Sequence, residues 1–217
     1  MNTEKAFTPA LGYDFLTDWY DLAIKLTMPE RKFRRLLVDQ IDPQPGEKIL
    51  EFGFGTGANL LLVKEKCPDT DLHGLDIDPK VRAIAAQKLA KFGLEIPLEL
   101  YDSGIFPFAD GQFDKVYSCL VFHQLDENEK AACLREIHRV LKKGGKLIIA
   151  DWGKAAHLGM RLAFGLVQLL DGFKTTNANV NGRLPGFICE AGFLNVAEVK
   201  SINTLIGTFS YFTADKI

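Results

Sequence analysis

The sequence predicts an α/β protein: a mostly parallel, seven-stranded sheet with helices on both faces and a C-terminal antiparallel hairpin. Three observations predict it. Short β-type segments alternate with segments of helical period between residues 48 and 150. A glycine-rich turn follows the first of those β segments directly. After residue 150 the alternation stops, and two β-rich segments close the chain.

Residues 1–45 read as a helical N-terminal lid. Phe7, Leu11, Tyr13, Phe15, Leu16, Trp19, Tyr20, Leu22, Ile24, Leu26 and Met28 crowd it. The Phe15–Trp19 and Leu22–Leu26 spacings suit short helices with one apolar face. Pro29 opens a further helix with Phe33, Leu36, Leu37 and Ile41 facing inward, and Asp42-Pro43-Gln44-Pro45-Gly46 stops it.

Residues 46–151 carry the alternation. A strand at 48–51 runs into a tight loop at 53–57 and a helix at 58–67. A second strand, 71–75, ends at Asp76, and a helix spans 79–92 with Val81, Ile84, Ala85, Lys88 and Leu89 at helical spacing. Strands follow at 98–101 and 113–118. A helix at 127–141 is stopped by Gly144-Gly145, before a fifth strand at 146–150. Residues 152–217 read as an apolar helix at 157–170, a helix at 182–191 ended by Gly192, and a hairpin of 196–202 with 208–213. No linker divides the chain, so one domain is expected.

The 217 residues suffice for one α/β domain with its own core. A net charge of −2 argues against a nucleic-acid partner held by bulk positive charge. No basic segment followed by an apolar run opens the sequence, and no stretch reaches the roughly 18 apolar residues that span a bilayer. This leaves only peripheral membrane contact open. Cys67, Cys119, Cys133 and Cys189 include no CxxC pair, so a reducing cytoplasm is expected, and no metal site.

The informative run is Ile49-Leu50-Glu51-Phe52-Gly53-Phe54-Gly55-Thr56-Gly57. Glycine permits the sharp strand-to-helix turn and lets backbone touch a ligand, and the helix start behind it offers free N–H groups to an anion. Asp76, about twenty residues on, ends the second strand, where a carboxylate can accept from ribose hydroxyls. Gly53-x-Gly55-x-x-Ala58 equally fits a dinucleotide fingerprint. The loop alone therefore leaves a nicotinamide-dependent oxidoreductase open.

Further motifs follow in order: Gly74-Leu75-Asp76-Ile77-Asp78, Asp102, Phe106-Pro107-Phe108-Ala109-Asp110-Gly111-Gln112-Phe113-Asp114, Ser118-Cys119-Leu120-Val121-Phe122-His123, and Arg139-Val140-Leu141-Lys142-Lys143-Gly144-Gly145. With the glycine loop, they resemble the class I S-adenosylmethionine-dependent methyltransferases, particularly the ubiquinone and menaquinone C-methyltransferase-like group, whose fold is Rossmann-like. The sequence departs from that group at Lys143, where proline is usual, and at Gln124, where a second histidine is frequent.

The resemblance implies S-adenosyl-L-methionine as cofactor, with S-adenosyl-L-homocysteine as product. Gly53, Gly55 and Gly57 would line its methionine part, with Phe54 and Thr56 offering backbone contacts. Glu51 would face the amino group, Asp76 the ribose hydroxyls, and Ile77 the adenine. Asp102 would accept from the adenine amino group with Ser103 beside it, and Cys119 would present a backbone carbonyl. Each has a plainer reading: Ile77 as core, Asp102 as an Asx turn, Cys119 and Cys133 as small core residues. Asp110-Gly111 reads as a turn and Asp114 as structural, as do His73 and His138.

A sulfonium methyl is already activated, so alignment of the acceptor supplies much of the rate, and a base is needed only for a protonated acceptor. His123, after the fourth strand, is the leading base, with Tyr20 as a second catalytic candidate. Tyr13, Asp151 and His157 are weaker. Residues 7–28 and 157–173 are expected to build an apolar acceptor pocket for a quinone precursor, phenol, thiol or lipid head group. Beside methyl transfer stand two alternatives: an NAD(P)-dependent oxidoreductase and a non-catalytic donor-binding protein of the same fold.

Overall fold

The computed structural model describes residues 30–102, 104–161, 164–165, 173–204 and 207–217. Tyr20, Ser103, the apolar segment 7–28 and most of 157–173 lie outside the described residues.

The described chain opens with helix α1 (Glu30–Ile41), which buries Phe33, Leu37, Val38 and Ile41 along one face. Strand β1 (Lys48–Phe52), helix α2 (Ala58–Lys66), strand β2 (Asp71–Asp76), helix α3 (Pro79–Ala90), and strands β3 (Leu98–Leu100) and β4 (Phe113–Cys119) follow. The start of α3 is written locally: Asp78 accepts from the Lys80 N–H, and Pro79 sits where a missing N–H costs nothing. A 3-10 turn (Phe122–Gln124) leads to helix α4 (Glu127–Val140). A capping box joins Asp126 and Glu129 at its start.

Strand β5 (Leu141–Trp152) begins earlier than the expected 146. Its register against β4 slips between Phe113 and Lys115, so Lys142–Gly145 forms an excursion within the strand. Gly144 there has φ +76°, and Lys216 ties the excursion down through Gly144 N–H and Gly145 O. Helical backbone at 158–161 and 164–165 falls within the expected 157–170 helix. Helix α5 (Phe173–Val180) was not anticipated as an element of its own. Helix α6 (Leu184–Glu190) and strands β6 (Leu194–Asn203) and β7 (Thr208–Asp215) end the chain.

The seven strands form one sheet in the order β3-β2-β1-β4-β5-β7-β6. The first five are parallel; β7 runs antiparallel to both β5 and β6. Alternation along the strands feeds two apolar layers. Ile49, Ile148, Ala150 and Trp152 join the cluster under α1, α2 and α3, with Phe33, Leu37, Leu60 and Ala85. Leu50, Phe52, Leu147 and Ile149 join the cluster under α4 and α6, with Leu134, Ile137, Leu184 and Ile188. Among the described residues, no helix is long and apolar enough to cross a membrane.

Candidate functional site

Chain connections from β1 and β4 lead to opposite sides of the sheet, and open α/β sheets bind ligands at the carboxyl ends of strands where the order reverses. The glycine loop lies there. Gly53, Gly55 and Gly57 have φ of +75°, +51° and +74°, backbone that L side chains rarely adopt. Their surroundings differ. A Cβ on Gly53 would stand 2.2 Å from Val121 Cγ2, so this glycine lets the segment after β4 close onto the loop. A Cβ on Gly55 would meet nothing within 4 Å. Gly55 is therefore the backbone that a ligand can approach. Phe54 turns its ring into the core against Gly74, which leaves only its backbone for a ligand. Thr56 is exposed, and its hydroxyl accepts from Lys88.

Asp76 ends β2 directly behind the loop. Its Oδ2 accepts from Gly55 N–H at 2.8 Å, and its Oδ1 accepts from Ile77 and Asp78 N–H. Burial raises its pKa, while these three backbone bonds oppose the rise. The next side chain, Ile77, is 38% exposed, an apolar surface left at a strand end beside the acid. Asp102 is exposed just past β3 on the same edge. Cys119 is buried at the end of β4, and burial pushes its thiol up to about 12, which leaves it no thiolate character at neutral pH. The residue after it, Leu120, has φ +58°, strained backbone of the kind that gathers at binding sites.

Glu51 is fully buried, one residue before β1 ends. Its Oε1 accepts from Asn59 Nδ2 at 2.8 Å and its Oε2 from the Tyr117 hydroxyl at 3.0 Å. Tyr117 is its direct partner across the β1–β4 ladder. Desolvation raises the carboxyl to about 8, partly offset by these bonds and by Arg34. A buried acid near neutrality is poised to take a cationic group as its counter-ion.

On the other side of β4, His123 Nδ1 donates to Asp151 Oδ1 at 2.8 Å, and the His123 N–H donates to Asp151 Oδ2. Both residues are buried. Asp151, near the end of β5, also accepts from the Trp152 N–H. The carboxylate thus fixes the imidazole with its proton on Nδ1 and a lone pair on Nε2. Lys130, also buried, donates from Nζ to Leu125 O and Thr175 O, tying the 3-10 turn that carries His123 to α5. Burial lowers its ammonium to about 8, with the Asp151 charge as the main opposing influence.

The structure therefore brings Glu51, Gly53, Phe54, Gly55, Thr56, Gly57, Asp76, Ile77, Cys119 and His123 to one sheet edge, with Asp102 farther along it. Asn59, Tyr117, Arg34 and Lys130 were not singled out from the sequence, and Asp151 was ranked low. Asn59 and Lys130 had a signal: a polar residue on the inward face of an otherwise apolar helix stripe. Gly111, Asp114, His73 and His138, read as structural, make contacts of that kind. Gly111 turns at φ +62°. Asp114 accepts from Lys48 N–H and pairs with Lys142. His73 contacts Asp71 and Phe113, and His138 stacks edge-on to Phe193.

Residues 49–145 match the methyltransferase domain family. The chain belongs to the class I S-adenosylmethionine-dependent methyltransferases. This methyltransferase chain is 35% identical over 150 residues to a demethylmenaquinone methyltransferase from Thermus thermophilus, a match covering 68% of the chain and 66% of that relative. It is 30% identical over 148 residues to the ubiquinone/menaquinone biosynthesis C-methyltransferase UbiE from Geotalea uraniireducens, covering 67% of the chain and 60% of the relative. The chain thus spans just under two thirds of the length of these curated relatives. In structure it resembles Haemonchus contortus phosphoethanolamine N-methyltransferase 2 in complex with S-adenosyl-L-methionine, with a TM-score of 0.69, 15% identity, and coverage of 84% of this chain and 52% of that one. That methyltransferase likeness establishes the fold.

Proposed function

We propose that the protein transfers a methyl group from S-adenosylmethionine to a small, apolar acceptor, most simply a quinone precursor. The observation that carries this reading is the glycine loop, with its open face at Gly55 backed by Asp76. The residues fit the donor. Gly53, Gly55 and Gly57 offer backbone to the methionine part, with Phe54 and Thr56 contributing main-chain contacts. Asp76 takes the ribose hydroxyls, exposed Ile77 supplies an apolar face for the adenine, and Asp102 with Ser103 receives the adenine amino group. Buried Glu51 takes the ammonium, and Cys119 contributes its carbonyl.

When bound, the donor supplies an electrophilic methyl on a sulfonium. The protein's own work is alignment, exclusion of water and proton removal. His123 accepts the acceptor's proton at Nε2, and Asp151 stabilises the imidazolium that results. Residues 1–45 act as a lid that supplies Tyr20 as a second catalytic candidate, and residues 152–217 complete the acceptor side. The quinone assignment rests on the curated relatives; phenols, thiols and lipid head groups share the same chemistry. Four free cysteines accord with residence in the cytoplasm.

The test is a turnover screen across quinone precursors, phenols, thiols and lipid head groups, read as S-adenosylhomocysteine formed. Product with at least one class supports the reading. Donor binding without product in any class indicates a non-catalytic binder, and NADH binding in place of the donor indicates an oxidoreductase.

A further inference from the structure

A donor with an amino-acid tail presents two opposite charges. Glu51 answers the ammonium, but a carboxylate brought beside that buried acid needs a cation of its own. Arg34, on α1, stands next to it. Its Nη1 donates to Asn59 Oδ1 at 2.6 Å, while Asn59 Nδ2 donates to Glu51 Oε1 at 2.8 Å. One amide therefore bridges a guanidinium and a buried acid. The guanidinium's field is felt by Glu51, Tyr117 and Cys119, and it favours the charged form of each. Glu51 and Tyr117 are ladder partners on β1 and β4, and Cys119 ends β4, so the charge sits at the junction of these two strands.

The other basic residues of α1 do not share this position. Arg31, Lys32 and Arg35 are exposed, whereas the Arg34 side chain is 21% exposed. Its remaining bond, from Nε to Glu30 Oε1 at 2.9 Å, is a helix-surface pair of small energetic weight. Its Nη2 makes no hydrogen bond among the described residues. A planar guanidinium with donors to spare matches a carboxylate in two-point geometry, which a lysine does not.

We propose that Arg34 binds the carboxylate of the donor's amino-acid end, so that Arg34 and Glu51 grip the zwitterion as a charge-matched pair with Asn59 holding them in register. The proposal rests on the methyl-donor reading above. It makes Arg34 a selector for intact amino-acid tails, and it places a donor contact on α1, within the segment expected to form the lid.

Calorimetry on the full chain tests it with three ligands: S-adenosylmethionine, S-adenosylhomocysteine and decarboxylated S-adenosylmethionine, which lacks only the carboxylate. Wild type should bind the decarboxylated ligand ~10- to 100-fold more weakly than S-adenosylmethionine, the loss expected for a charge-assisted bond. Arg34→Met should weaken S-adenosylhomocysteine by a similar factor, yet leave the decarboxylated ligand within about twofold of wild type. Arg34→Lys should fall between. Equal losses for all three ligands in Arg34→Met would reduce Arg34 to a structural support and overturn the proposal, as would wild-type indifference to the carboxylate. Wild type that binds none of the three would instead overturn the methyl-donor reading itself.

Discussion

Asp76 and Gly55, 21 residues apart, are joined by a 2.8 Å bond from the Gly55 N–H to Asp76 Oδ2. The acid at the end of β2 therefore does two jobs. It shapes the glycine loop, and it stands where ribose hydroxyls would arrive.

Asp76→Ala should weaken S-adenosylhomocysteine binding by tenfold or more, since a bond to a charged acceptor contributes about 1.5–3 kcal/mol. It should also lower Tm by a few degrees, because three backbone N–H groups lose their acceptor. The loop anchor is the source of this second effect. Calorimetry and thermal melting separate the two, and unchanged affinity in a folded variant would remove Asp76 from the ribose.

Two glycines two residues apart should fail differently. Gly55→Val places a branched side chain in open space at φ +51°, so the protein should fold with modest loss while donor binding disappears. Gly53→Ala meets Val121 at 2.2 Å and should show its damage mainly as a lowered Tm. Melting curves alongside donor titrations read both outcomes. A Gly55→Val variant that is folded and binds normally would show that the loop does not cradle the donor.

Glu51 should make donor affinity and stability depend on pH in opposite senses. Desolvation by burial raises its carboxyl from 4.5 to about 8 in the fold, opposed by the Asn59 and Tyr117 bonds and by Arg34. The folded state thus holds a proton that the unfolded chain releases between those values. This group's contribution to stability is fully present below the unfolded pKa and falls as pH rises through about 8. Glu51→Gln should therefore melt higher than wild type at pH 8, by ~2–4 °C for each kcal/mol relieved. A bound ammonium favours the carboxylate, so donor affinity should strengthen from pH 6 to about 8, with protons released on binding. Calorimetry in buffers of different ionisation enthalpy measures that release, and its absence would separate Glu51 from the donor.

His123→Ala and Asp151→Asn should each leave donor affinity unchanged while lowering turnover of a protonated acceptor, by ~10²- to 10⁴-fold for loss of the base itself. Raising the pH until the acceptor ionises should rescue His123→Ala. Full activity of that variant at neutral pH would show that His123 is structural.

Removal of residues 1–28 should leave a folded protein, the outcome expected of a cover that closes over the acceptor rather than of core. Turnover and acceptor selectivity should be lost, and donor affinity reduced. An unfolded product would return those residues to the core.

By itself the sequence determined the order of strands and helices between residues 48 and 150, the glycine turn and the acid at the end of β2; the caps that start α3 and α4 are equally local. Each of these is local. A period of two or of 3.6, a left-handed turn and an N-terminal cap are all set by residues within a few positions of one another. Helix α5 escaped because Lys174-Thr175-Thr176-Asn177-Ala178-Asn179-Val180 is poor in helix formers. Contacts hold it instead: Asn179 Nδ2 donates to Trp152 O, Lys130 donates to Thr175 O, and Thr176, Ala178 and Val180 are buried.

Only the tertiary structure decided the charged groups. Glu51 looked like a strand-end acid, but its pKa and its partners come from Tyr117 across the ladder, Asn59 in the next helix and Arg34 on α1. His123 was visible as a residue, whereas its orienting acid, Asp151, lies 28 positions away on β5. Burial makes a charge depend on whatever partners surround it, and those partners are chosen by strand pairing and helix docking, which no local pattern records.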